Sequence, residues 1–493
     1  MSQPVLIISI IILYFGVLLL ISHLTSKRAD NSTFFIGGRK MPWGAVALAM
    51  ITAPISGVTF ISVPGMVMTK GYGYLQMCLG FIIGYFVIAL ILVPLYYKNN
   101  IVSIYSFLEE RFGKETYKTG ACFFLISKIL GTSVKFLVVC LALQYLVFDP
   151  MGLPFVANVV LTIFFIWLYT VKGGVRTVIW ADMFKSLVLI FSLALSIYII
   201  MEHLGYSPSE LLNKISTDVH SKVIFLENPV EGNYFWKQFI AGIFLVVAMT
   251  GLDQDMMQHT LSCKDSRSSK KNLYLSSFLQ FGFITLFLSL GSLLIFYMET
   301  HHLEAPAKSD DLFAMVAFHE EMPLIVGILF VLGLISASYS SVGSALTSRT
   351  TSYTVDIMDA RKKYDDNTVA KKRKSVHLGI AIVIIFLILG FYYLNDQDAI
   401  SAVYTMATYT YGPILGLFVY GIFFKKRVDP RYVAAVCFMA PVFAWLFQWG
   451  MRNITGYETG YELLLINAGF IIAGISFLPA IEKEEMYQPE IVE

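Results

Sequence analysis

Between Ser336 and Ser348, an otherwise apolar stretch running from Leu324 to about Tyr353 carries a dense set of serine and threonine hydroxyls. A hydrocarbon interior holds no water, so each hydroxyl needs a partner, and the nearest is a carbonyl of the preceding helical turn. Small residues there also let helices approach closely. Those ordinary roles suffice for a single hydroxyl. They explain less well why Ala337, Ser340, Ser341 and Ser344 fall at i, i+3, i+4 and i+7, along one face of a helix. That face offers oxygens without net charge, the ligand type that hard cations take. It is expected to form half of an alkali-cation site.

The other half is expected from Met50–Phe60, which reads Met-Ile-Thr-Ala-Pro-Ile-Ser-Gly-Val-Thr-Phe. Pro54 removes a backbone donor and Gly57 relaxes the chain beyond it, so a helix through this stretch is interrupted. Unwinding at Pro54 frees the Thr52 and Ile55 carbonyls. Both lie about 15 Å in from the basic end of their span at 1.5 Å per residue, comparable to the depth of Ser340 and Ser341. Two carbonyls here, the Ala337 carbonyl and the Ser340 and Ser341 hydroxyls make a five-oxygen sodium cage. Asp182 could neutralise a cation nearby; its ordinary alternative is an interfacial carboxylate bonded to Arg176 or Lys185.

A second interruption reads Thr-Gly-Leu-Asp-Gln-Asp from Thr250 to Asp255. Asp253 and Asp255 there suit a solute's hydroxyls, since a carboxylate accepts their protons; the alternative is local capping of a helix end. Gln76, Gln254 and Gln258 are lesser candidates. Lys128 and Lys135 are seven residues apart on one helix face. Lys135, near mid-membrane, should face protein or water, paired with an internal acid or meeting an anionic solute group.

These residues need long apolar helices to hold them. Of the 493 residues 57% are hydrophobic and 14% charged, against about 25% charged in a soluble domain. About thirteen spans of the roughly 20 apolar residues needed to cross a bilayer can be counted, from Val5–Leu24 to Leu463–Ile481. The two interruptions lie in the second span, Gly44–Met68, and the seventh, Phe235–Met257. Lysine and arginine crowd every second loop, as in Lys264–Lys271 and Arg361–Lys374, whereas Asp149, Glu202, Glu304 and Asp396 mark the others. Basic loops stay cytoplasmic, which places the N-terminus outside and the Glu482–Glu493 tail inside. The first span lacks a basic n-region and a cleavage site, so it is read as retained. Short surface helices are expected in the external loops Ser207–Asn233 and Thr300–Met322. Matched interruptions in spans of opposite direction are the mark of inverted repeats around a transporter's binding centre. The organisation that follows is an extra N-terminal span with its loop (1–42), a first five-helix repeat (43–206), an external loop (207–232), an inverted repeat (233–428), and two accessory helices with a tail (429–493).

Several classes are excluded. A net charge of +2 without basic–aromatic arrays gives no case for nucleic acid. The five cysteines form no CxxC pair. No phosphate-binding loop, nucleophile elbow or HExxH is present, so no enzyme and no ATP-driven pump is expected.

Taken together, Ile51–Gly65, Tyr105–Phe112 (Tyr-Ser-Phe-Leu-Glu-Glu-Arg-Phe), Gly173–Asp182, Gln254–Asp265 and Ser336–Asp356 resemble the sodium:solute symporter family, with its sodium/galactose and sodium/sialic acid transporters. The resemblance covers nearly the whole chain. It implies an all-α, LeuT-like fold of two inverted five-helix repeats working by alternating access. It implies a main sodium site on Thr52, Ile55, Ala337, Ser340 and Ser341. In some members a second sodium lies near the acid matching Asp182 and serines matching Ser341 and Ser344; Gly343 stands here where such members can carry another serine. Ser56, Thr59 and Gln76 fall at solute-contact positions. In sugar-carrying relatives an amide lies about where Asp253 falls and an aromatic gate about where Asp255 falls.

The expectation is therefore a multi-pass carrier in the plasma membrane, that of a bacterial inner membrane. It couples sodium to uptake of a small polar organic solute, a sugar or sugar acid such as a hexose or sialic acid. The runner-up solute is a monocarboxylate or vitamin-like anion with Lys135 as partner; a signalling or proton-coupled relative is the remaining alternative. The lipid bilayer, sodium and the solute are its partners, with no nucleic acid and no obligate protein partner.

Overall fold

With no water to satisfy backbone N–H and C=O groups, apolar spans of this length settle as helices that close their own hydrogen bonds. The computed structural model describes residues 3–27, 30–99, 101, 103–394, 399–457 and 459–480. Asp396 and the Glu482–Glu493 tail, which entered the charge reading, lie outside the described residues, as does the Thr52 side chain. The helices used below are α1 (Gln3–Ser26), α2 (Trp43–Thr52), α3 (Gly57–Gly65), α4 (Tyr74–Val87), α5 (Lys114–Leu143), α6 (Phe155–Thr170), α7 (Gly174–His203), α8 (Phe235–Val246), α9 (Gln254–Thr260), α10 (Ser266–Thr300), α11 (Leu324–Ser352), α12 (Asp366–Leu394), α13 (Ala399–Phe423), α14 (Pro430–Thr455) and α15 (Leu463–Phe477). Among the described residues, nine helices are long and apolar enough to cross a membrane, and a bent pair makes up to ten. The α6 and α15 helices are apolar but shorter. Each expected span falls on one of these helices or helix pairs, α2 and α3 together forming the second. The protein is an all-helical, multi-pass membrane protein.

Both interruptions appear where the sequence places them. The α2 helix stops at Thr52, and Ser56 is extended (φ −94°, ψ 172°) before α3 starts. Pro54 explains the stop, because it has no N–H to continue the ladder; Ala53 before it is still helical and donates to the Ala49 carbonyl at 3.3 Å. In the second interruption the segment Phe235–Gly251 ends in a π turn and Asp253 is extended, so α9 leaves at 72°. Helices α7 and α11 pack against each other, α7 also lies on α2, and α8 lies on α4. The interruptions thus sit inside the bundle.

The loops are tied rather than loose. The expected surface helices are Pro208–Thr217 and Leu312–Ala317. Asp265 caps α10 by accepting the Ser268 N–H at 2.8 Å, and that bond holds its carboxyl below the usual carboxylate range.

Candidate functional site

The first interruption opens onto a cavity. Pro54, Ile55, Ser56 and Thr59 line it from the break, Lys128 and Lys135 from α5, and Thr250 and Met256 from the second interruption. Tyr74, Phe81, Leu245 and Ile284 supply an apolar wall. Counted out through its open mouth, the space encloses about 850 Å³. Ser56 is almost fully buried, and its backbone N–H donates to Thr59 Oγ1 at 3.3 Å, fixing the start of α3.

The two lysines on one face of α5 have different fates. Lys128 Nζ is 2.6 Å from Asp253 Oδ2, which also accepts the Tyr411 hydroxyl from α13. Asp253 Oδ1 takes the backbone N–H groups of Asp255 (2.9 Å) and Met256 (3.3 Å), capping α9. Of the two alternatives read for Asp253, the structure shows the capping one; the side chain is fully buried, and its partner Lys128 lines the cavity. Lys135 also lines the cavity but has no carboxylate within ion-pair distance among the described residues. Beside this pair the fully buried Arg349 donates to the Lys128 carbonyl and, at 2.6 Å, to Thr132 Oγ1.

Other expected solute contacts lie elsewhere. Gln76 is fully buried with its amide committed to backbone: Nε2 donates to Asn233 O (3.0 Å) and Gly73 O (3.2 Å), and Oε1 accepts from Phe225 N (2.9 Å). It ties α4 to the loop that precedes α8 and is not among the residues that line this cavity. Gln254 likewise accepts from the Ile104 backbone N–H at 2.9 Å and Gln258 donates to the Phe35 carbonyl and Thr351. Asp255 accepts the Ser344 hydroxyl, joining α9 to α11. These three residues of α9 bond to protein groups and are not among the residues that line this cavity.

Helix α11 approaches the first interruption closely at Ser338. A Cβ built on Gly57 would stand 2.1 Å from Ser338 Oγ and 2.6 Å from Val139 Cγ2, so only glycine allows this approach. Further along the same pair of helices, a Cβ on Gly333 would meet the Phe60 ring at 2.4 Å. Ala337 and Ser340 are fully buried, and the Ser341 hydroxyl donates to the Ser338 carbonyl at 2.9 Å. The residues read as a second cation site are each engaged with a different protein group. Asp182 Oδ1 is 3.1 Å from Lys185 Nζ, and its Oδ2 is 3.5 Å from His259 Nε2. Ser341 faces the Ser338 carbonyl and Ser344 faces Asp255. Of the two partners read for Asp182, Lys185 rather than Arg176 is the one it takes.

Sequence reasoning missed Tyr411, Tyr169, Tyr339, Arg349, His259 and His377. The signal available was their polarity within apolar spans. His377, for example, is fully buried between Thr170 Oγ1 (2.9 Å) and Thr350 Oγ1 (2.7 Å).

A family model described as "Sodium:solute symporter family" matches residues 34–430. The chain belongs to the sodium:solute symporter family. It is 27% identical to the sodium-coupled monocarboxylate transporter 2 of Homo sapiens, with 66% of this chain and 53% of the relative covered. It is 23% identical to the sodium/iodide cotransporter of Homo sapiens, over 82% of this chain and 63% of the relative. The chain thus spans little more than half to under two thirds of the length of these relatives. Among solved structures, a substrate-bound outward-open state of a Na+-coupled sialic acid symporter superposes with a TM-score of 0.83 at 20% identity, covering 96% of this chain and 98% of that one. The fold of this family member is accordingly LeuT-like.

Proposed function

We propose that the protein is a sodium-coupled symporter of the plasma membrane that carries a small organic anion by alternating access through the cavity at the two interruptions. The observation that carries this reading is Lys135, an ammonium on the cavity wall with no carboxylate partner among the described residues. A charge held at membrane depth costs several kcal/mol unless something neutralises it, and a bound carboxylate does so. The apolar wall and the Ser56 and Thr59 hydroxyls suit a solute with one anionic end and a less polar body. Relatives named for monocarboxylates and iodide are in keeping with an anion. A sugar acid fits this description through its carboxylate; a neutral hexose leaves Lys135 unanswered.

Sodium is the driving cargo, held by the carbonyls of Thr52, Ile55 and Ala337 and the hydroxyls of Ser340 and Ser341. Register supports this set. Gly57 is level with Ser338 and Phe60 with Gly333 on antiparallel neighbours, so stepping inward brings Ile55 level with Ser340 and Ser341. The cage lies beside the solute cavity, where one ion's occupancy can stabilise the broken helix that also faces the solute.

The test is uptake by proteoliposomes under an inward sodium or potassium gradient, with monocarboxylates, sugar acids and neutral hexoses as solutes. Carboxylate uptake that requires sodium, and that Lys135→Ala removes while sodium binding persists, is the expected result. Sodium-independent uptake, or a hexose carried in preference to every carboxylate, overturns it.

A further inference from the structure

Lys185 lies about 16 Å along α7 from its basic end, at 1.5 Å per residue, and is fully buried. Its ammonium meets three oxygens from three helices: Asp182 Oδ1 at 3.1 Å on α7, the Tyr169 hydroxyl at 2.8 Å from α6, and the Tyr339 carbonyl at 3.1 Å from α11. An ammonium has three N–H donors, and all are used. One carboxylate, one phenol and one carbonyl form a cluster of the kind that holds a hard cation, with a single negative charge. The cluster adjoins the sodium cage through the Tyr339–Ser340 peptide. Gly343 makes room for it, because a Cβ there would stand 2.1 Å from the Tyr169 hydroxyl. The neighbouring His259 faces the other oxygen of Asp182, at 3.5 Å.

We propose that Lys185 is a tethered cation, whose ammonium fills an oxygen cluster beside the sodium cage and so limits the carrier to one sodium per cycle. The chain supplies the charge that Asp182 would otherwise draw from solution as a second ion. Because the tether moves with α7, this charge stays with the protein and adds nothing to the ion gradient's driving force. The inference rests on the sodium-coupled reading above.

Equilibrium binding of radioactive sodium to the purified full-length protein tests it by count. Wild type is expected to bind about one sodium per chain, with a Hill coefficient near one. Lys185→Ala is expected to bind two, with a Hill coefficient above one, and Lys185→Ala with Asp182→Asn to return to one. Lys185→Gln, which keeps a side chain in the cluster, is the fold-preserving version and is also expected to gain the second ion. Two sodiums in wild type, or one sodium with unchanged affinity in both Lys185 variants, overturns the tethered cation while leaving symport intact. A merely structural Lys185 gives that second result. Wild type that binds no sodium instead overturns the symport reading, and this inference with it.

Discussion

Lys128 Nζ stands 2.6 Å from Asp253 Oδ2, joining the middle of α5 to the bend between α8 and α9. The same carboxylate takes the Tyr411 hydroxyl from α13 and caps α9 with its other oxygen. One side chain thus holds three helices together between the cavity and the basic loop that follows α9. A carrier that exposes its site alternately to two sides must release contacts of this sort on one side at a time. An ion pair is suited to that role, since it is strong when dry and is exchanged for water when the helices part.

Asp253→Asn should lower both the melting temperature and the rate of uptake. Breaking one partner of a buried pair costs about 3–5 kcal/mol, because the other charge is stranded. Lys128→Met combined with Asp253→Asn should recover part of the lost melting temperature. Sodium affinity should stay near wild type in both, since neither residue belongs to the cage; a selective loss of sodium affinity would argue that Asp253 serves the ion.

Ser341→Ala should raise the sodium concentration for half-maximal uptake by about tenfold or more. A hydrogen-bonding or ligand contact to a charged group contributes about 1.5–3 kcal/mol. Surface expression and solute binding at saturating sodium should be preserved. Unchanged sodium dependence in proteoliposomes removes Ser341 from the cage.

Gly57→Ala should impair sodium binding and uptake together. The added methyl meets Ser338 Oγ at 2.1 Å and Val139 Cγ2 at 2.6 Å, so the break must withdraw from α11. Overpacking of this kind costs about 1–3 kcal/mol. Adding Val139→Ala and Ser338→Gly should restore part of the sodium affinity, measured by the same uptake titration.

Asp356→Ala should destabilise the fold without altering solute preference. Its carboxylate accepts from Ser103 (2.8 Å), Tyr117 (2.7 Å) and Ser352 (2.6 Å), tying the segment before α5, α5 itself and the end of α11. Each buried hydroxyl left without its acceptor costs about 1–3 kcal/mol. The check is a fall in melting temperature with an unchanged ranking of competing solutes.

Hydropathy and local residue chemistry were enough to read the helical class and the places of the two interruptions, because a bilayer permits little else for apolar runs of that length. Pro54 stopped its helix for a reason local to its own ring, and the hydroxyl stripe of α11 followed from helical spacing alone. Partner choice was a different matter. Lys128 and Lys135 share a face, a residue type and the cavity wall, yet the 72° bend at α9 brings Asp253 within ion-pair distance of Lys128 alone of the two. Gln76 read as a solute contact, and only the folded chain shows the loop before α8 bonding both ends of its amide. Lys185 was visible three residues from Asp182, whereas Tyr169 and Tyr339 come to it from other helices. A sequence states which groups each helix carries and on which face; the angle and register at which helices meet decide which of those groups touch, and these come from the packing of the whole bundle.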